Sequence, residues 1–291
     1  MTCVNAVGVT RASIGVQDFD PDVQVAIGRI QPYGMTERVV DELRSVGVGG
    51  INLDLIYGLP CQTEASIAAT AALALDLEPD RLAIFGYAHV PWMKRHQALL
   101  PESGLPDPAK RFALREVAER VIRARGFVKL GLDHFARPGD TLAEAAAAGR
   151  MRRNFQGYTT DTAETLIGFG ASAIGALPQG YVQNHAGVPE YRASLSEGRL
   201  PVARGLELDE DDRIRRRMIE TIMCRMALDL GLGDDFAEER WALAALAADG
   251  LITWDGRRLA VTEAGQPYLR AVAAVFDIYL GSGRGRHSKA V

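Results

Sequence analysis

Asp54 is the only charged residue in INLDLIYGLP (51–60), a stretch whose pattern is that of a buried strand running into a tight turn. Alternation along such a strand sets Leu53, Leu55 and Tyr57 on one face and Asn52, Asp54 and Ile56 on the other. A charge inside a fold is costly unless paired, so Asp54 needs a partner. In folds built on parallel strands, ligands gather at the carboxyl ends of the strands. The polar residues at such ends are Gln17 after SIGV, Asp54, and Ala88-His89 after IFGY. Gln17 shares its face with Ser13 and Gly15, and Asp54 shares its own with Asn52. If both faces look into one hollow, an amide and a carboxylate converge there. A carboxylate so placed accepts from a ribose hydroxyl or pairs with an amino group, or it is the structural partner of an arginine such as Arg29.

Other chemistry-bearing types are sparse. The three cysteines, Cys3, Cys61 and Cys224, have neither C-x-x-C nor metal-type spacing. His89, His134 and His185 also lack metal spacing and read as hydrogen-bonded structural histidines. His134 and Arg137 in LDHFARP are the best substrate-side candidates should the substrate carry carboxylates, which arginine grips bidentately. Arg152 and Arg153 follow them. GFGASAIG (168–175) departs from the G-x-G-x-x-G dinucleotide spacing. No metal site is expected within this chain.

Three units of one plan position these groups. Short apolar runs at 11–19, 51–58 and 81–90 alternate with helical patterns around 36–47, 63–77 and 108–127, which predicts βα units and a parallel sheet. Thr36 and Thr63 stand as N-caps, and Gly47 and Gly126 as helix stops. The run 127–138 continues the sheet or covers its end. Residues 150–161 read as an ordered loop, Asp161 with Glu164 as a capping box, and 168–177 as a last buried strand. From about Tyr181 the texture changes. A long helix is expected over 209–230, with a core stripe of Ile214, Met218, Ile222 and Met226, then a helix over 238–249. A hairpin turning at Asp255-Gly256 follows, and then a helix over 263–280. The expected fold class is α/β: a partial (half) βα barrel with parallel strands, 1–180, and a helical, winged-helix-like C-terminal domain with a small β-hairpin, 181–291. The first strand would leave a bare edge, as though the front half of a barrel were missing.

The chain has 291 residues, 47% hydrophobic and 24% charged, the balance of an ordinary globular protein. No run is long and apolar enough to span a bilayer, and the first residues lack a basic-then-apolar signal pattern. The expectation is a cytoplasmic protein with no membrane partner. The formal net charge of -4 argues against a nucleic-acid partner, as does the absence of a basic recognition helix in EERWALAALAADG.

Residues 15–19 and 51–60, with YAHVP (87–91), LDHFARP (132–138) and RNFQGYTT (153–160), together resemble the oxygen-independent coproporphyrinogen III oxidases, radical S-adenosylmethionine enzymes of haem biosynthesis. The resemblance runs from about Thr10 to the C-terminus. RNFQGYTT resembles the true oxidases rather than their haem-binding paralogues. The resemblance implies a partial βα barrel, a C-terminal helical domain, and a 4Fe–4S cluster that binds S-adenosyl-L-methionine. It implies an oxidoreductase that uses a 5′-deoxyadenosyl radical to convert propionates of coproporphyrinogen III to vinyl groups, giving protoporphyrinogen IX, with an electron donor as partner. By motif, Gln17, Arg29 and Asp54 match cofactor contacts, and Ala88 and Ile174 match contacts made partly by backbone.

The family's C-x-x-x-C-x-x-C cluster loop has no counterpart here, and the three cysteines are too scattered to replace it. The expectation is therefore a fragment, or a chain that needs a missing N-terminal half, inactive as isolated. Two other classes stay open. A non-catalytic tetrapyrrole- or haem-binding protein would show tight one-to-one haem binding with no cluster. A nucleic-acid binder would show salt-sensitive duplex affinity.

Overall fold

A computed structural model describes residues 8–100, 102–155, 157–231 and 236–280, with backbone only at 96. The first half is built on a five-stranded sheet in the order β1-β2-β3-β5-β4. Its strands are β1 (Arg11–Gln17), β2 (Gly50–Tyr57), β3 (Arg81–Gly86), β4 (Val128–Leu130) and β5 (His134–Ala136). β1, β2 and β3 run parallel, as the alternating pattern predicts. The run 127–138 folds back on itself, so β5 lies antiparallel to β3 and β4 antiparallel to β5.

The helices α1 (Pro21–Ala26), α2 (Tyr33–Ser45), α3 (Glu64–Asp76) and α4 (Pro108–Ala124) intervene between the strands. Leu53, Leu55 and Tyr57 of β2 and Leu82 and Ile84 of β3 pack into one core with Val40 of α2, Ile67 and Ala71 of α3, and Leu114 and Ile122 of α4. Fully buried Leu53, Leu55 and Leu82 each contribute about 1.5–3 kcal/mol by leaving water. Thr63 caps α3 in a reciprocal box with Ser66. Gly47 and Gly126 follow α2 and α4 at φ +86° and +85°, a conformation that favours glycine. Thr36 is not a cap. α2 begins at Tyr33 behind Pro32, which starts the helix early, and buried Thr36 accepts from Gln31 Nε2 (3.3 Å) inside it.

The other face of the sheet is built differently. At its lower end Arg11 and Arg81 converge on Asp140 (3.3 and 2.8 Å), the N-cap of α5 (Thr141–Ala147). Leu130, Ala136, Leu142, Met151 and Tyr158 form a separate small core beside β4 and β5. Residues 150–161, expected as a loop, form the antiparallel hairpin β6 (Arg152–Asn154) and β7 (Gly157–Thr159). Arg152 is held there by Glu220 (2.7 Å), a partner that local sequence does not reveal. Asp161 caps no helix: its carboxylate accepts from Ala163 N (2.8 Å) in a local turn.

The expected last buried strand at 168–177 shortens to β8 (Ile174–Leu177). It leaves the main sheet for a second one with β9 (Gly180–Asn184) and β10 (Val202–Glu207), with α6 (Val188–Ser196) in the connection. It pairs antiparallel with β9, from Ile174 opposite Gln183 to Leu177 opposite Gly180.

The long helix is α7 (Glu210–Arg225), capped by Asp209 and ended by Met226 in the left-handed conformation. β11 (Ala227–Asp229), α8 (Ala237–Ala248), β12 (Ile252–Trp254) and β13 (Arg258–Val261) follow. The hairpin closes with Asp255 N on Arg258 O, so the turn residues are Gly256 and Arg257, one position beyond the expected pair. The helix expected over 263–280 is only α9 (Leu269–Ala274), with a short 3₁₀ turn before it. Ile222, Leu243, Leu259, Val272 and Phe276 form this half's core, and Leu132 of the first half packs against it. Among the described residues no helix is long and apolar enough to cross a membrane.

Candidate cofactor hollow at the strand tips

Register brings the predicted groups into one row. Gly15 of β1 lies opposite Asp54 of β2, Asp54 opposite Ala83 of β3, and Ala83 opposite His134 of β5. Residues directly opposite point to the same face, so Asp54 and His134 look the same way, about two strand spacings or 10 Å apart.

β1 bends to bring Gln17 into this row. The pairing slips between Gly15 and Gln17, and Gln17 adopts φ +69°. A bulge of this kind re-aims a side chain, at a backbone cost of about 1–3 kcal/mol that the surroundings must hold. The Gln17 amide folds back over Gly15: a Cβ on Gly15 would sit 2.6 Å from Gln17 Nε2 and 3.6 Å from Arg29 Nη2. Arg29, which follows α1, donates to Gly15 O (2.6 Å) and Gln31 Oε1 (3.2 Å). Gln17 and Arg29 thus meet at the glycine that pairs with Asp54.

Asp54 itself accepts from Ser13 Oγ (3.0 Å) and Asn52 Nδ2 (2.7 Å). Each carboxylate oxygen has a second lone pair to offer, so a hydroxyl donor can still be accepted. Asn52 Oδ1 is buried and has no hydrogen-bond partner among the described residues. Two acceptors with spare capacity, a neutral amide and an exposed guanidinium lie around Gly15 and Asp54, where the absence of a Cβ lets the Gln17 amide fold in. This donor and acceptor set fits a ligand bearing both a vicinal diol and a carboxylate, as S-adenosylmethionine does.

The remaining predicted residues divide. His134 contacts Asp133 through Nδ1 (2.7 Å) and meets Tyr158 and Phe85 edge to face at 5.1 and 5.8 Å. Tyr158 accepts from Leu132 N and donates to Met223 O (both 3.1 Å), and burial pushes its phenol up to about 12. Ala88 lies beyond the tip of β3, where its carbonyl accepts from Gln97 Nε2 (3.0 Å). Ile174 opens β8, on the face it shares with Ala176. Arg137 stands apart. Its guanidinium lies 5.9 Å over the Phe127 ring and its backbone N–H donates to Asp80 O, at the opposite ends of the strands. β5 runs antiparallel to β3 from His134 opposite Ala83 to Ala136 opposite Arg81, so Arg137, three residues on from His134, lies past the start of β3.

Sequence reasoning missed the more deeply buried carboxylate. Asp18, next to Gln17, is 1% exposed and accepts from Thr70 Oγ1 (2.6 Å), Gln62 Nε2 (2.6 Å) and Asp20 N (2.7 Å). Gln62 also bonds Leu59 N and Ile56 O, tying the GLP turn to the end of β1. Burial raises the Asp18 pKa against the pull of these donors. The acid after an apolar strand in VQDF was the available signal. Arg111 was missed too. Its Nε is buried with no partner among the described residues, and its guanidinium lies beside Gly86 and the Tyr57 hydroxyl.

A cluster finds no such fit. Cys61 is exposed in the turn after GLP, and Cys224 is partly buried with its thiol pushed up to about 12 by burial and the charge of Glu220. Cys3 lies outside the described residues. Among the described residues no three histidine, cysteine or acidic side chains are grouped to hold a metal ion.

Residues 208–268 match the family model described as HemN C-terminal domain. The oxygen-independent coproporphyrinogen III oxidase of Thermostichus vulcanus is 42% identical over 98% of this chain and 91% of its own length. The chain belongs to the oxygen-independent coproporphyrinogen III oxidase family. The Bradyrhizobium diazoefficiens member is 48% identical over 98% of this chain. This chain spans 65% of that relative's length. The solved structure of the coproporphyrinogen III oxidase (HemN) of Escherichia coli, described as a radical SAM enzyme, superposes with a TM-score of 0.89 at 37% identity. It covers 95% of this chain and 66% of its own. The family's α/β fold is therefore the fold of this chain.

Proposed function

We propose that this chain is the S-adenosylmethionine-holding and porphyrinogen-facing portion of an oxygen-independent coproporphyrinogen III oxidase. The observation that carries the reading is the convergence of Gln17 and Arg29 on Gly15, opposite Asp54. Asp54 accepts from the ribose hydroxyls, Arg29 pairs with the amino-acid carboxylate, and the Gln17 amide completes the enclosure. Ala88 and Ile174 contribute backbone and apolar contacts. When bound, S-adenosylmethionine supplies the hydrogen-abstracting radical of the superfamily. The reaction removes one hydrogen atom, one electron and carbon dioxide from each of two propionates and leaves vinyl groups, so protoporphyrinogen IX is the product. His134, in the same row as Asp54, is the substrate-side group, without Arg137. The described residues offer no cluster site, so the electron donor and the cluster act through the part of the oxidase that this chain does not span.

Architecturally, the parallel β1-β2-β3 array with its helices is part of a βα barrel, 1–180, and α7, α8 and the β12–β13 hairpin make a winged-helix-like unit within 181–291.

The test is a chimera. The part of the Bradyrhizobium relative that this chain does not span is joined to it, loaded with its cluster without oxygen, and given coproporphyrinogen III. Vinyl product and carbon dioxide are expected, together with binding of S-adenosylmethionine that Asp54→Asn weakens. A cluster-loaded chimera that forms no vinyl product would refute the activity. Cofactor binding indifferent to Asp54→Asn would refute the site.

A further inference from the structure

A cavity of about 510 Å³ opens where the β6–β7 hairpin, β8–β10, α7 and the segment after α9 meet. Its walls carry Phe155 and Tyr181, whose rings pack edge to face at 4.9 Å. They also carry Arg153, Arg215 and Arg216, with Asp212, Glu220 and Asp277. The charges do not cancel in place. Arg215 is locked between Asp211 and Glu239 (both 2.6 Å), and Glu220 holds Arg152 (2.7 Å). Asp212 accepts from Asp209 N (3.2 Å) and the Tyr279 hydroxyl (2.8 Å), and Asp277 accepts from Tyr279 N (3.0 Å) and Leu280 N (3.2 Å). Two guanidiniums remain. Arg153 lies 5.8 Å over the Tyr158 ring and Arg216 lies 5.1 Å over the Tyr181 ring. Among the described residues neither has an anionic partner.

An aromatic wall with two spare guanidiniums matches a large ligand with an apolar ring system and peripheral carboxylates. A relay of contacts links the cavity to the Asp54 row: Arg153 stacks on Tyr158, Tyr158 contacts His134, and His134 shares its row with Asp54. Ala176, on the same face of β8 as Ile174, lines it as well.

We propose that this cleft seats the tetracarboxylate macrocycle, with Arg153 and Arg216 each gripping one propionate that is not reacting. The assignment rests on the proposed oxidase function for its choice of ligand and adds the residues that orient it. The rings of Phe155 and Tyr181 support the apolar edge. The two arginines hold the macrocycle so that another propionate faces His134 and the cofactor hollow.

The test titrates the purified chain with coproporphyrin III, a stable fluorescent analogue with the same four propionates, and with its tetramethyl ester. Arg153→Gln and Arg216→Gln are each expected to weaken binding of the free acid on the order of tenfold. Arg217→Gln, on the same helix but not in the cleft's wall, should leave it within about twofold. The ester should bind all variants alike. Urea midpoints that match the unmodified chain exclude loss of fold as the cause. Free-acid binding that survives both cleft substitutions, or no porphyrin binding at all, overturns the assignment. The chimera separates the two readings. Vinyl formation with an unchanged KM in Arg153→Gln and Arg216→Gln sinks the cleft and spares the function. Arginine-dependent porphyrin binding in a chimera that forms no vinyl product does the reverse.

Discussion

Two carboxylates stand near the tips of neighbouring strands, and they have opposite characters. Asp18, at the end of β1, is buried, and a hydroxyl, an amide and a backbone N–H all point at it. Asp54, on β2, is half-buried. It has two donors, both from its own face of the sheet, and a neighbour, Asn52, with an unanswered carbonyl oxygen. Full partnering makes Asp18 a joint between β1, the GLP turn and α3, and it fixes the bulge that aims Gln17. Incomplete partnering leaves Asp54 able to accept something from outside the chain. A fully buried carboxylate held by three donors from three separate segments is scaffold, and a half-buried one held by two, with capacity to spare, is a binding group.

The contrast breaks most visibly at Asp18. Asp18→Ala strands the Thr70, Gln62 and Asp20 donors in the interior and should cost about 2–4 kcal/mol in urea unfolding. Asp18→Asn should cost less. If Asp18→Ala unfolds at the same urea concentration as the parent chain, the joint is not structural.

Asp140 sharpens the comparison through pH. Burial works to raise its pKa, but the hydrogen bonds from Arg81 and Leu142 N and the charges of Arg81 and Arg11 outweigh it and hold the group below the ordinary carboxylate value. Its stabilisation is therefore present above the unfolded pKa and fades as pH falls through the folded one. Asp18, raised by burial, has the opposite sign: its contribution is greatest below the unfolded value and declines as pH rises through the folded one. Asp140→Asn should cost about 2–3 kcal/mol at neutral pH and flatten the acid limb of a stability–pH curve. An unaltered acid limb would remove Asp140 from the account.

At Asp54 the expected loss is in binding, with little change in fold. Asp54→Asn should move the unfolding midpoint little, by under about 1 kcal/mol, yet weaken S-adenosylmethionine by about tenfold or more. A large stability loss with unchanged affinity would make Asp54 a second Asp18.

The smallest expected effect is at Gly15. Gly15→Ala places a methyl group against the Gln17 amide, so it should cost about 1 kcal/mol and displace Gln17 from the hollow. Amide chemical shifts at Gln17 and Arg29 would read that displacement directly.

How much of this was legible beforehand follows the range of the interactions. The βα alternation, the Thr63 cap, the Gly47 and Gly126 stops and the faces of β2 all follow from contacts within a few residues, so local pattern reveals them. Local pattern misplaced the start of α2, the β6–β7 hairpin and the end of the last helix. Pro32, the pairing of Arg152 with Glu220, and packing on a distant core decide those.

The sequence by itself determined the motifs, the family they belong to and the acidic, amide and guanidinium groups that Gln17, Arg29 and Asp54 supply. Only the tertiary structure decided which acid is scaffold and which is free to bind. It alone parted His134 from Arg137, and brought Arg153, Arg216 and Tyr181 around one cleft. The physical reason is that partnering and burial are properties of space. A side chain's spare hydrogen-bonding capacity exists only once strands from distant parts of the chain have taken their register.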